Sequence, residues 1–190
     1  TRESLIDTQN PDAVVLGCSD SRVPPEIIFD AGLGDMFTVR TAGQMIDPAV
    51  LQSLEYAVTG LHVSLLVVLG HQHCAAVQKG AEELETLITK LQDESQGGTP
   101  MTREQLMESL DDVIMSSDSE FLKNAGLSVW QAQMAGLDSS DEYEQVHIAR
   151  TIEHLVTHSD VIREALAQEK LMIVGARYRL ESGLVEVLSF

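Results

Sequence analysis

In the stretch GCSDSRVPP, a cysteine, an aspartate and an arginine stand two apart, at Cys18, Asp20 and Arg22. The only other cysteine, Cys74, lies far downstream in GHQHCAAV, three residues after His71. Cys18, His71 and Cys74 together offer two thiols and an imidazole, the ligand types that zinc prefers. The spacing His71-x-x-Cys74 lets one turn aim both side chains at one point. Three ligands with no evident fourth is the pattern of a catalytic rather than a structural zinc site. The same residues also read as small buried cysteines beside a hydrogen-bonded histidine. The spacing alone does not choose between these readings.

Asp20 and Arg22 add a second kind of chemistry. Residues two apart in an extended segment face the same way, so Cys18, Asp20 and Arg22 can point into one site. An Asp–Arg pair is often a plain structural ion pair. Beside a metal it has another use. The arginine holds the carboxylate off the ion, and the carboxylate accepts a hydrogen bond from a metal-bound water whose pKa is lowered to roughly 7.

These residues need elements to carry them. Ala13 to Gly17 and Ser64 to Gly70 read as short buried strands ending on glycine, and Leu171 to Ala176 as a third of the same kind. Met36 to Arg40 reads as another strand. Pro24 and Pro25 open a short helix through about Asp30, and Asp47 caps a helix with Pro48 at its first position. Helices are also expected from about Cys74 to Leu91, from Asp141 to Thr157, on to about Gln168, and with interruptions between Thr102 and Gly136. QDESQGGTP, Gln92 to Pro100, reads as a loop. Glu181-Ser182-Gly183 reads as a hairpin turn before an edge strand at Leu184 to Leu188. The alternation predicts an α/β fold: four parallel strands plus a C-terminal antiparallel edge strand, flanked by helices. Ligands of such sheets bind beyond the carboxyl ends of the strands, where both cysteines fall.

The chain's 190 residues suit a single domain, 1–190. Its net charge of −18 argues against nucleic acid or an anionic membrane as partner, since both reward positive charge. No apolar run approaches the ~18 residues of a membrane span, and the start carries no signal-peptide pattern. Two cysteines do not make a disulfide scaffold, and a cytoplasmic setting with free thiols or metal ligands is expected.

Cys18-x-Asp20-x-Arg22, set in GCSDSRVPPEIIFDAGLGDMFTVRTAG and followed about fifty residues on by GHQHC, resembles the β-class carbonic anhydrase family. The likeness runs from Gln9 to about Val77 and returns at GARYRLESGLVEVL. It implies one zinc per chain, held by Cys18, His71 and Cys74, with Asp20 and Arg22 as a catalytic dyad. The reaction implied is reversible hydration of carbon dioxide to bicarbonate and a proton by zinc-bound hydroxide. The family's closed form puts the aspartate itself on the zinc; the open form has water there. The resemblance also matches Gln9 to a substrate-bonding glutamine, and Phe37 and Tyr56 to apolar residues lining the cleft, partly across a dimer interface. Ala42 falls at a cleft position that is often valine. It further implies a homodimer or homotetramer.

The chain departs from the family at three points. Ala75 stands where glycine usually follows the second zinc cysteine, near a backbone amide that shapes the substrate site; no effect of the extra methyl is expected. Only eight residues precede Gln9 in a chain that starts at Thr1, and a short or missing form of the family's partner-embracing helical arm is expected. Val15 stands where bicarbonate-regulated members carry tryptophan, although Arg40 and Tyr178 match that site, and an open, unregulated site is expected. Other readings of the same scaffold are hydrolysis of carbonyl sulfide or carbon disulfide, or a non-catalytic zinc-binding role, against which retention of the dyad argues.

Several further residues invite attention. His73 could shuttle protons, but an orientation away from the site is expected. His147, His154 and His158 share one helix face at steps of seven and four; a second metal site is the sharper reading and a polar face the plainer one. Arg177 and Arg179 could hold an anion, but pairing with acids is expected. Trp130 is expected to pack in the helical region.

Overall fold

Short apolar runs, too short for helices, become interior strands of a parallel sheet, because a sheet covered on both faces buries such runs. The computed structural model describes residues 2–94 and 103–189. Its strands are β1 Ala13–Cys18, β2 Met36–Thr41, β3 Leu65–His71, β4 Met172–Arg179 and β5 Leu184–Leu188. They form one sheet in the order β2-β1-β3-β4-β5. The first four are parallel and β5 runs antiparallel to β4. β1 and β3, in the interior of the sheet, are buried almost throughout, while β5 at the edge is mostly exposed, Val187 included, so the alternation of its sequence is not kept. Gly183, with φ +70°, closes the β4–β5 hairpin and donates its N–H to the Arg179 carbonyl.

The helices are α1 Pro25–Ile28, α2 Pro48–Thr59, α3 Ala75–Glu94, α4 Arg103–Met115, α5 Leu127–Met134, α6 Ser140–His158 and α7 Asp160–Ala167. The Asp47 carboxylate caps α2 by accepting from Val50 N at 2.8 Å. Gln92, Asp93 and Glu94, expected in a loop, instead continue α3, because no breaker precedes the glycine pair. The rest of that expected loop, 95–100, lies outside the described residues. None of the described helices is long and apolar enough to cross a membrane.

Contacts divide the chain into two units, Thr1–Cys74 with Ile148–Phe190, and Ala75–His147. In the first unit, one sheet face packs Leu16, Leu66 and Val68 against Leu54 of α2, Leu155 of α6 and Ile162 of α7. The other face carries a smaller cluster of Val15, Val67, Leu69 and Ala176. In the second unit, a π-helical turn at Leu122–Gly126 runs into α5. Gly80 of α3 meets that turn so closely that a Cβ would lie 2.6 Å from Ala125 Cβ. Trp130 is buried in this unit, as expected.

The strand order positions the site. From β1 the chain first adds β2 on one side, then crosses to add β3 on the other. That reversal opens a crevice at the carboxyl ends of β1 and β3, where doubly wound sheets bind ligands. Gly17 pairs with Leu69, so Cys18 stands level with Gly70 and one residue short of His71.

Candidate metal centre

Cys18 is the last residue of β1 and His71 the last of β3, with Cys74 three residues beyond. Their ligand atoms lie within 4.8 Å of one another, and all three residues are buried. Residues 56 positions apart in sequence thus converge because their strands are neighbours in the sheet. Both cysteines are free thiols. Among the described residues this is the one group of three or more side chains able to hold a metal ion.

The protonation chemistry fits a cation. The Cys18 thiol is lowered from 9.0 to about 4, first by a hydrogen bond with the Cys74 thiol. Burial opposes the shift, and the His71 ring and the backbone amides of Gly43 and Asp20 add to it. Those amides lie 3.2 Å and 3.4 Å from Sγ. Burial is the largest influence on His71 and pushes it down, but the neighbouring Cys18 outweighs it and leaves the imidazole raised. His71 Nδ1 is 2.8 Å from the Gln72 carbonyl, which fixes Nδ1 as the protonated nitrogen. In the neutral ring Nε2 then carries the lone pair, and this buried atom has no partner of ordinary hydrogen-bond geometry, only the Cys18 thiol nearby. A buried, oriented imidazole nitrogen beside two buried thiols, one of them made acidic by its surroundings, is the donor set that zinc prefers.

The loop after β1 is pinned from several sides. Arg22 N donates to Asp20 Oδ1 at 2.9 Å, and the guanidinium takes both carboxylate oxygens. This lowers the Asp20 carboxyl from 3.8 to about 2, so it is ionised at neutral pH. The same guanidinium reaches the carbonyl of His73, which sits at φ +54° with its ring exposed. Arg40 was matched above only to a regulatory site. It clamps the loop backbone, with Nε on the Cys18 carbonyl at 2.9 Å and Nη2 on the Asp20 carbonyl at 2.7 Å. Sequence reasoning missed this clamp, although a basic residue at the carboxyl end of the strand beside β1 could have signalled it.

The other expected site residues divide. Ala42 lies in the short turn Ala42–Gln44, whose Gly43 N–H reaches Cys18. Ala75 is the exposed first residue of α3. Gln9 lies exposed ahead of β1. Phe37 and Tyr56 meet with their rings tilted at 57° and their centroids 6.2 Å apart, and Tyr56 is 52% exposed. Phe37 pairs with Val14, four residues before Cys18. At ~3.3 Å per strand residue, that places it about 13 Å from its own chain's cysteine.

The three α6 histidines do not act together. His147 is buried with Nδ1 2.8 Å from Ser128 Oγ. His154 and His158 are exposed and stack at 4.0 Å. The shared helix face passes from a packed environment to solvent, so no third ligand joins that pair. Arg179 pairs with Glu181 and Glu186, as expected, and Arg177 is buried.

Known proteins agree with this geometry. The family model described as carbonic anhydrase matches residues 13–185. A carbonic anhydrase of Mycolicibacterium smegmatis is 42% identical over 188 residues, covering 99% of this chain and 80% of the relative. Carbonic anhydrase 2 of Mycobacterium tuberculosis is 42% identical over 182 residues, covering 96% and 76%. Among solved structures, the β-carbonic anhydrase CcaA superposes with a TM-score of 0.71 at 25% identity, covering 99% of this chain and 84% of that one. A tetrameric β-carbonic anhydrase of Sordaria macrospora shares the fold with a TM-score of 0.71 at 20% identity, covering 100% and 86%. With its parallel sheet, its Cys–His–Cys cluster at the switch point and these relatives, the chain belongs to the β-class carbonic anhydrases, zinc enzymes whose general reaction is the hydration of carbon dioxide.

Proposed function

We propose that this chain interconverts carbon dioxide and bicarbonate in an open site, with Asp20 and Arg22 working beside a zinc held by Cys18, His71 and Cys74. When bound there, zinc supplies a Lewis acid that makes water nucleophilic near neutral pH. The observation that carries the open reading is the Asp20–Arg22 fork, in which Arg22 engages both carboxylate oxygens. Held this way, Asp20 is turned to its arginine and kept ionised, ready to accept a hydrogen bond from the attacking water. Arg22 also ties the His73 carbonyl, so the loop between the two later ligands shares the same anchor.

The Phe37–Tyr56 pair supports a homo-oligomeric reading. It is too far along β2 to line its own chain's cluster, yet it keeps a large ring exposed. A partner subunit's cleft is where such a pair would serve.

Stopped-flow hydration of carbon dioxide by zinc-loaded protein tests the proposal. Activity at neutral and mildly alkaline pH is the expected result. Activity at alkaline pH alone would mean that Asp20 leaves Arg22 for the metal, and the open-site reading would fall.

A further inference from the structure

Among the described residues, two buried side-chain polar atoms have no hydrogen-bond partner: His71 Nε2 and Gln44 Oε1. The metal accounts for the first, and nothing in the zinc chemistry accounts for the second. Gln44 is only 2% exposed, so bulk water does not satisfy it. Its φ is +44°, in the left-handed region that a residue with a side chain occupies at a cost. One residue therefore carries both backbone strain and an unmatched buried acceptor. Such costs persist where the surrounding structure or the function uses them.

Its position suggests the use. Gln44 closes the turn whose preceding residue, Gly43, donates its N–H to Cys18 Sγ. Its Nε2 lies 3.4 Å from where a Cβ on Gly70 would sit, and Gly70 immediately precedes His71. The side chain thus lies between the ends of the two strands that deliver the first two ligands. A buried acceptor without a protein partner is ordinarily satisfied by an internal water.

We propose that Gln44 is a positioning residue whose Oε1 binds one buried water, and that the side chain anchored in this way sets the Cys18 turn against the Gly70–His71 strand end. The inference rests on the zinc reading above and adds a residue to it.

Gln44→Met tests it, because methionine keeps the length and removes the acceptor. If Oε1 were truly empty, the exchange would relieve an unpaired buried group and raise Tm. If Oε1 holds a water, Tm falls and zinc passes to a competing chelator about tenfold faster, the scale expected when an outer partner of a ligand is lost. Gln44→Gly separates the backbone from the side chain, since it relieves the left-handed strain and keeps the turn. It should release zinc as fast as the methionine variant. A crystal structure of the zinc-loaded wild type should show a water within hydrogen-bonding distance of Oε1. A raised Tm in Gln44→Met, wild-type zinc release from Gln44→Gly, or a dry Oε1 in that crystal would each overturn the proposal. These readouts stand even if the protein binds zinc and does not hydrate carbon dioxide, so the two readings fail separately.

Discussion

Arg22 holds Asp20 by both oxygens, Nε to Oδ1 at 2.9 Å and Nη2 to Oδ2 at 2.7 Å, while its own side chain stays 51% exposed. Exposed ion pairs contribute little to stability, so the value of this one lies in orientation. A lysine keeps the charge and loses the fork. Arg22→Lys should therefore keep one zinc per chain and a near-wild-type Tm while kcat/KM falls about 10–100-fold, the range for losing an outer partner of a metal site. Stopped-flow rates with metal analysis on the same sample check this. An unchanged kcat/KM would remove the dyad from the mechanism.

The ligand set predicts a metal dependence. Cys74→Ser and His71→Ala should each reduce bound zinc from one per chain to almost none. Stripping the wild type with a chelator should lower Tm, because an ion that binds only the folded state stabilises it by mass action. Adding zinc back should restore the Tm. Metal analysis and thermal melts give both readouts, and a stripped protein with unchanged Tm would contradict the assignment.

Gly80 predicts a packing effect in the helical unit. A Cβ there would meet Ala125 Cβ and Gly126 N, both at 2.6 Å, leaving no room without moving backbone. Gly80→Ala should cost about 1–3 kcal/mol in spite of alanine's better helix propensity. Urea denaturation measures it. A stabilised variant would show that α3 and the π-turn can separate freely.

The start of α6 predicts a pH effect. Ser139 N donates to Glu142 Oε2 at 2.9 Å and Glu142 N donates to Ser139 Oγ at 3.2 Å, a reciprocal capping box. Ser139→Ala should cost about 1 kcal/mol. The Glu142 carboxyl is lowered below 4.5, first by the Ser139 hydroxyl. A depressed carboxyl stabilises the fold fully above its unfolded value and loses that contribution as pH falls through its folded value. Wild type should therefore lose stability on acidification in this window, and Glu142→Gln should flatten that part of the profile. Melts between neutral and acid pH compare the two.

Much of this architecture was legible in the residues. The apolar runs of β1 and β3 are short and too apolar for a surface element, so their burial could be read directly, whereas β4 starts on an exposed Met172. Asp47-Pro48 announced α2 by cap chemistry that depends on neighbours in the chain. The capping box at Ser139 is equally local, although the apolar pattern begins only later in the helix. The run at Gln92 to Glu94 misled because polar composition says nothing against an exposed helical turn.

The ligand types, the Asp–Arg step of two and the acidic balance were thus determined by the sequence itself, since each depends on residue chemistry or on spacing within one element. What only the tertiary structure decided depends on strand order and register. Placing β3 beside β1 brings Cys18, His71 and Cys74 within 4.8 Å. Folding the loop back aims Arg40 at the Cys18 and Asp20 carbonyls. Burying Gln44 leaves its oxygen without a partner, and pairing Phe37 with Val14 carries it away from its own cluster. These are distances between segments far apart in the chain, and they exist only once the sheet has paired them.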